Sequence, residues 1–282
     1  MGIDLNTAIF HNITIADAII GVSYGILAAL IIYLFTKLKN TGKGWFFLLN
    51  KNAKIQNGNQ LYCYNLSNDL LHISHPWMKQ GQTLDDILVP VNFTGNKTSE
   101  REELEIYLKR TFEKQENPRI LILGKPGTGK SIAMRVIART IIATDKERNR
   151  TPVVLTFSDI KGVKDDQDLK QKIVEQLRIH QFEKHEKDKT TAKQFVDENL
   201  YTGKIILLFD GYDELEKSER KEASKFLNYF LKSYPNITAV ISSRTAVYEH
   251  EHAFNKLEPS NVYMADFTKF AILRFLTQWQ FD

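Results

Sequence analysis

The chain has 282 residues, 38 basic and 34 acidic, a net charge of +4 and one cysteine, Cys63. That length allows roughly two domains. A single thiol excludes an intrachain disulfide and suits a reducing compartment, and the lack of a basic stripe interleaved with aromatics argues against a nucleic-acid partner.

Ala18 to Phe35 carries no charged residue and is rich in Ile, Leu, Ala and Tyr. Extended to Leu38, the run reaches the ~20 apolar residues that a spanning helix needs. Residues 15–38 are therefore expected to form one transmembrane helix after a short extracytoplasmic stretch, 1–14. Asp4 and Asp17 precede the run without any Lys or Arg, whereas Lys37, Lys39, Lys43, Lys51 and Lys54 follow it with no acid before Asp69. By the positive-inside rule the N-terminus faces out and the remaining chain is cytoplasmic, on the inner membrane if the source is bacterial. A cleaved signal peptide fits less well, because no basic stretch precedes the run. Removing those five lysines from the 38 basic residues leaves 33 against 34 acids, so the excess charge is suited to an anionic lipid surface. Gly21, Gly25 and Ala29 recur every four residues, a small-residue face on which two such helices can approach closely and form a homo-oligomer.

Residues 39–84 read as a juxtamembrane linker with some short structure; Leu61 to Trp77 is apolar without clean periodicity. A globular module is expected over 85–265. It opens with a helix around Ser99 to Glu113, with Leu104, Tyr107, Leu108 and Phe112 as its stripe. Ile120 to Leu123 reads as a short buried strand, and Ile132 to Ala143 as a helix. Between them lies Gly124-Lys125-Pro126-Gly127-Thr128-Gly129-Lys130-Ser131, which matches the phosphate-binding P-loop pattern. Glycines there let backbone N–H groups surround an anion, and the following helix adds its positive end. Lys130 is expected at the β/γ-phosphates and the Ser131 hydroxyl on Mg²⁺.

Further along, charged helices are expected at Asp166–His180, Thr191–Leu200 and Lys217–Ser233. Lys204 to Asp210 is a continuous apolar run ending in a carboxylate, as suits a central strand of a parallel sheet. Its Asp210 belongs at the ligand edge, as the partner of Ser131 in holding Mg²⁺ through water. Asp213 and Glu214 follow; one of them is expected to orient or deprotonate an attacking water, while both also suit the start of a helix. Thr238 to Arg244 is another buried strand, whose final Arg244 can reach a γ-phosphate. Strand and helix alternation predicts an α/β fold, a parallel sheet with helices on both faces, preceded by the single transmembrane helix. Right-handed crossovers then bring all these motifs to one edge. Histidine pairs such as His72 and His75 lack a completing Cys or carboxylate and suit surface or linker positions.

Taken together, GKPGTGKS, LLFDGYDEL and ISSRT resemble the NACHT group of STAND-class P-loop NTPases over about residues 85 to 282. The resemblance implies a Walker A motif at 124–131, a Walker B motif at Asp210–Glu214 and a sensor at Arg244. It implies binding of ATP or ADP with Mg²⁺, slow hydrolysis, and a molecular switch that assembles on triggering. Asp85 to Val91 resembles the strand that leads into bacterial members, Thr151 to Leu155 resembles their second core strand, and Asp266 and Phe267, with the helix after them, resemble the entry to the helical subdomain, here 266–282. The family usually continues into a winged helix and a repeat sensor; here either the chain is a fragment or the sensor is a separate protein. Two other readings stay open: an AAA-like ATPase remodelling a membrane partner, with Arg220 or Arg274 as an arginine finger, and a scaffold that holds nucleotide without turnover. A role in bacterial defence or stress signalling follows from the resemblance alone.

Overall fold

The computed structural model describes residues 54–72, 83, 92–95, 101–114, 117–145, 148–183 and 189–279. The expected span at 15–38, the lysines before Lys54, and Asp85 to Val91 lie outside them. Among the described residues no helix is long and apolar enough to cross a membrane.

Among the described residues, seven strands form one sheet: β1 (Asn92–Gly95), β2 (Arg101–Glu103), β3 (Arg119–Gly124), β4 (Thr151–Thr156), β5 (Ile205–Asp210), β6 (Thr238–Arg244) and β7 (Ser260–Met264). Their order is β2-β1-β7-β3-β6-β5-β4. The five from β7 to β4 run parallel, while β1 pairs antiparallel with both β7 and β2. Ile205 to Phe209 of β5 are all fully buried. Successive strand residues point to opposite faces, so both faces of the sheet are covered there, which is why this strand is uninterruptedly apolar. Register places Gly124 beside Arg244 and Asp210 beside Thr156, aligning the C-terminal ends of the strands.

Helices connect and cover the strands: α2 (Leu104–Lys114), α3 (Lys130–Thr144), α4 (Asp166–Ile179), α5 (Lys189–Tyr201), α6 (Lys217–Ser233), α7 (Thr245–Glu251) and α8 (Lys269–Trp279). Helix α2 begins later than expected, because Arg101 to Glu103 pair with β1 instead. Its Leu104, Leu108 and Phe112 are buried as the stripe requires. Helix α3 buries Ala133, Val136, Ile137 and Ile141 against the core. On α8, Phe270, Ile272, Leu273 and Leu276 are exposed.

A correction concerns the expected linker at 39–84. Residues 54–71 form a helix, α1, that belongs to the core. Asn59, Tyr62, Leu66 and Leu70 are buried at spacings of three and four, one face of a helix. That stripe is hard to see in the sequence because Asn59 and Tyr62 are polar or half-polar. Their partners explain the burial: the Tyr62 hydroxyl donates to the Pro152 carbonyl at 2.8 Å, and Thr151 donates to Asn59 Oδ1 at 2.8 Å. Both partners sit at the start of β4, the edge of the sheet. Burial pushes the neighbouring Cys63 thiol up to about 11, so it stays protonated at neutral pH. Leu66→Ala is expected to destabilise the protein by about 2–5 kcal/mol in chemical denaturation, the cost of a core cavity. A neutral result would return the segment to a linker.

Candidate functional site

The loop after β3 is closed by its own backbone. Thr128 donates from its amide (3.4 Å) and its hydroxyl (2.9 Å) to the Lys125 carbonyl. Gly127 and Gly129 have φ of 76° and 86°, left-handed values that favour glycine and turn successive amides towards one point. Helix α3 starts directly on Gly129, with no side-chain cap and no acid in its first turn. Its first N–H groups therefore remain for an anion, and the helix dipole favours one. Lys130 lies back over the loop, its Nζ 3.3 Å from the Gly124 carbonyl and 3.2 Å from that of Lys125.

Facing this loop are the ends of β5 and β6. Asp210 closes β5, and its Oδ1 accepts a short hydrogen bond from Ser242 Oγ. Ser242 in turn accepts from the Gly211 amide at 2.8 Å. One buried hydroxyl thus fixes both the carboxylate and the turn behind it. The turn continues as a 3₁₀ segment, Tyr212–Glu214, in which the Glu214 amide donates to the Gly211 carbonyl at 2.9 Å. Gly211 has φ of 80°, and a Cβ there would lie 2.8 Å from the Glu214 carboxyl carbon. Only glycine lets that carboxylate lie so close to the strand end. Asp213 behaves differently from its neighbour: it forms an ion pair with Arg244, Nε to Oδ2 at 2.7 Å, and accepts a hydrogen bond from the Arg244 amide at 2.9 Å.

An open cleft of about 340 Å³ collects these groups. One wall is Pro126, Gly127, Gly129, Lys130 and Ser131; the other is Asp210, Asp213, Glu214, Ser242 and Arg244. Ser131 and Asp210 both line this cleft, as a joint hold on Mg²⁺ requires.

 Ser242 engages only Oδ1 of Asp210, which leaves Oδ2 for a metal-bound water. Gly124, Lys125 and Thr128, expected in the phosphate cradle, build it from behind. A Cβ on Gly124 would lie 2.5 Å from Thr128 Oγ1 and 2.9 Å from Met264 Cβ. Lys125 pairs with Asp266 at 3.1 Å on an exposed surface, where such a bridge is worth little. Sequence reasoning assigned no role to Ser242; a hydroxyl pair ending an apolar strand was the available signal.

Arg220, considered above as an arginine finger, is committed internally. Its Nη2 lies 2.8 Å from Glu251 Oε1 and its Nη1 donates to the Leu215 carbonyl at 2.6 Å. Tyr212 adds a hydrogen bond to Glu251 Oε2 at 3.0 Å. Burial alone would raise the Glu251 carboxyl, but the bonds from Arg220 and Tyr212 hold it below the ordinary carboxylate range. Arg220→Ala is expected to cost about 3 kcal/mol at neutral pH, because the Glu251 charge loses its ion-pair partner and keeps only the Tyr212 hydrogen bond. A depressed folded pKa contributes stability above the unfolded value of about 4.3 and loses it as pH falls through the folded one. The gap between wild type and Arg220→Ala should therefore close in acid, as thermal melts across pH 3 to 7 (a range of about four units spanning the carboxylate titration) would show.

A parallel sheet with a P-loop at the end of one strand and an acid at the end of the next strand but one defines a P-loop NTPase. The family model for the NACHT domain matches residues 118–280. The chain belongs to the NACHT family, whose domains are nucleotide-binding NTPases. Among solved structures, the crystal structure of Saccharomyces cerevisiae RIF2 is similar at 14% identity, over 81% of this chain and 70% of that one, with a TM-score of 0.39. That likeness is too remote to carry an argument. No curated protein matches the chain.

Proposed function

We propose that the protein is a nucleotide-dependent switch that binds ATP or ADP with Mg²⁺, hydrolyses ATP slowly, and assembles with further copies of itself in the triphosphate state. The observation that carries this reading is the single cleft in which Lys130 and Ser131 face Asp210, Glu214 and Arg244. Lys130 exchanges its loop carbonyls for β- and γ-phosphate oxygens. Ser131 and Asp210 hold Mg²⁺, which supplies neutralisation of phosphate charge. Glu214 orients the attacking water and takes its proton. The water oxygen bonds to the γ-phosphorus, the bond to the bridging oxygen breaks, and ADP leaves with that electron pair. Arg244 stabilises charge on the γ-phosphoryl oxygens.

The uncharged run at 18–35, with its following lysines, supports a single-pass anchor with the N-terminus outside and the NTPase module cytoplasmic. Membrane lipid is then one partner, and the small-residue face at Gly21, Gly25 and Ala29 supports self-association. A separate sensor protein and a role in bacterial defence or stress signalling rest on the family resemblance.

The test is the nucleotide that co-purifies with detergent-extracted protein, followed by its mass in solution with ATP analogue or ADP. Retained ADP, and a larger assembly only with the triphosphate, support the switch. Rapid turnover without a change in mass would favour a remodelling ATPase instead.

A further inference from the structure

We propose that Asp213 is a positioning residue, which holds Arg244 at the γ-phosphate side of the cleft and leaves Glu214 as the acid that meets water. This assignment rests on the ATP reading above. Both acids follow the strand end of β5 and both line the cleft, so their chemistry alone does not separate them. Their partners do.

Each Asp213 oxygen is taken by the same residue. Oδ2 pairs with Arg244 Nε at 2.7 Å, and Oδ1 accepts from the Arg244 amide at 2.9 Å. The Asp213 side chain is only 5% exposed, whereas that of Arg244 is 52% exposed. An acid that activates water must bring a carboxylate oxygen within about 2.6–3.2 Å of it. Buried and doubly engaged, Asp213 offers no such oxygen. Glu214 is exposed and lines the same cleft.

The geometry of the grip suits a sensor. A long arginine loses rotamer freedom when it meets an anion. Pinning Arg244 at Nε removes part of that loss beforehand and leaves its two Nη groups for phosphate oxygens, in the planar fork that matches them. Because the second bond goes to the Arg244 amide, Asp213 also holds the junction at which β6 gives way to α7. The arrangement therefore acts on the part of the ligand that distinguishes ATP from ADP.

The experiment is calorimetric titration of detergent-extracted full-length protein with Mg²⁺ and either a non-hydrolysable ATP analogue or ADP. Asp213→Asn keeps the shape but replaces one acceptor oxygen by a donor facing Arg244. It is expected to lower the ratio of triphosphate to diphosphate affinity about tenfold, the value of one charge-assisted contact. Arg244→Ala should do the same, and the double variant should be no worse than either single one. Arg244→Lys, which leaves Asp213 and the backbone bond in place, provides the same readout if Asp213→Asn does not fold. Glu214→Gln should keep the ratio while losing turnover. Equal weakening of both ligands by Asp213→Asn would make the pair merely structural and overturn the assignment. An unchanged ratio with turnover abolished would make Asp213 the water-facing acid and also overturn it. A wild-type protein that binds neither nucleotide would overturn the ATP reading itself, and this inference with it.

Discussion

Lys130→Ala is expected to lower nucleotide affinity about 100-fold while leaving the fold intact. A charge-assisted hydrogen bond contributes ~1.5–3 kcal/mol, and every 1.4 kcal/mol is a factor of ten. In the structure the Lys130 ammonium sits on the carbonyls of Gly124 and Lys125. Those oxygens point to the position it must leave when phosphate arrives, so the exchange involves a short movement of one side chain. Alanine can make neither contact. The residue is only half-buried and lies outside the apolar core, so the melting temperature without nucleotide should barely move. Titration of both proteins with ADP measures the first quantity and a melt measures the second. Equal affinity would mean that this loop is not where the ligand binds.

The second large effect is expected on turnover rather than binding. Glu214→Gln should hold ATP as well as wild type does but hydrolyse it about 100- to 10,000-fold more slowly, the range for loss of a general base. Glutamine keeps the length and can still bond to water, but it cannot take a proton. The close packing of the Glu214 carboxyl over Gly211 limits how far either side chain can wander, so the isosteric change should not disturb the turn. Phosphate release under single-turnover conditions separates the steps. Normal hydrolysis by Glu214→Gln would sink the assignment of this residue.

Much of the site was legible because it is built from contiguous segments. The P-loop, the acid closing β5 and the arginine closing β6 are each a local pattern, an apolar strand followed at once by a functional residue. The parallel sheet then aligns them without further instruction, because register brings Gly124 next to Arg244. Helix α6 was readable to its residue limits for the same reason: its apolar positions repeat along one segment. Helix α1 was not, since its burial depends on a hydrogen bond that Tyr62 donates to, and one that Asn59 accepts from, a strand some ninety residues away.

The sequence by itself therefore determined the class of fold, the phosphate loop and the set of charged groups around it. These rest on hydrophobic periodicity and on backbone conformations that few residues adopt, both of which are local properties. Tertiary structure alone decided which charge meets which. It gave Asp213 to Arg244, Ser242 to Asp210, and Arg220 to Glu251. An ion pair or hydrogen bond depends on distances of a few ångströms between residues some thirty positions apart, and no pattern along the chain carries that distance.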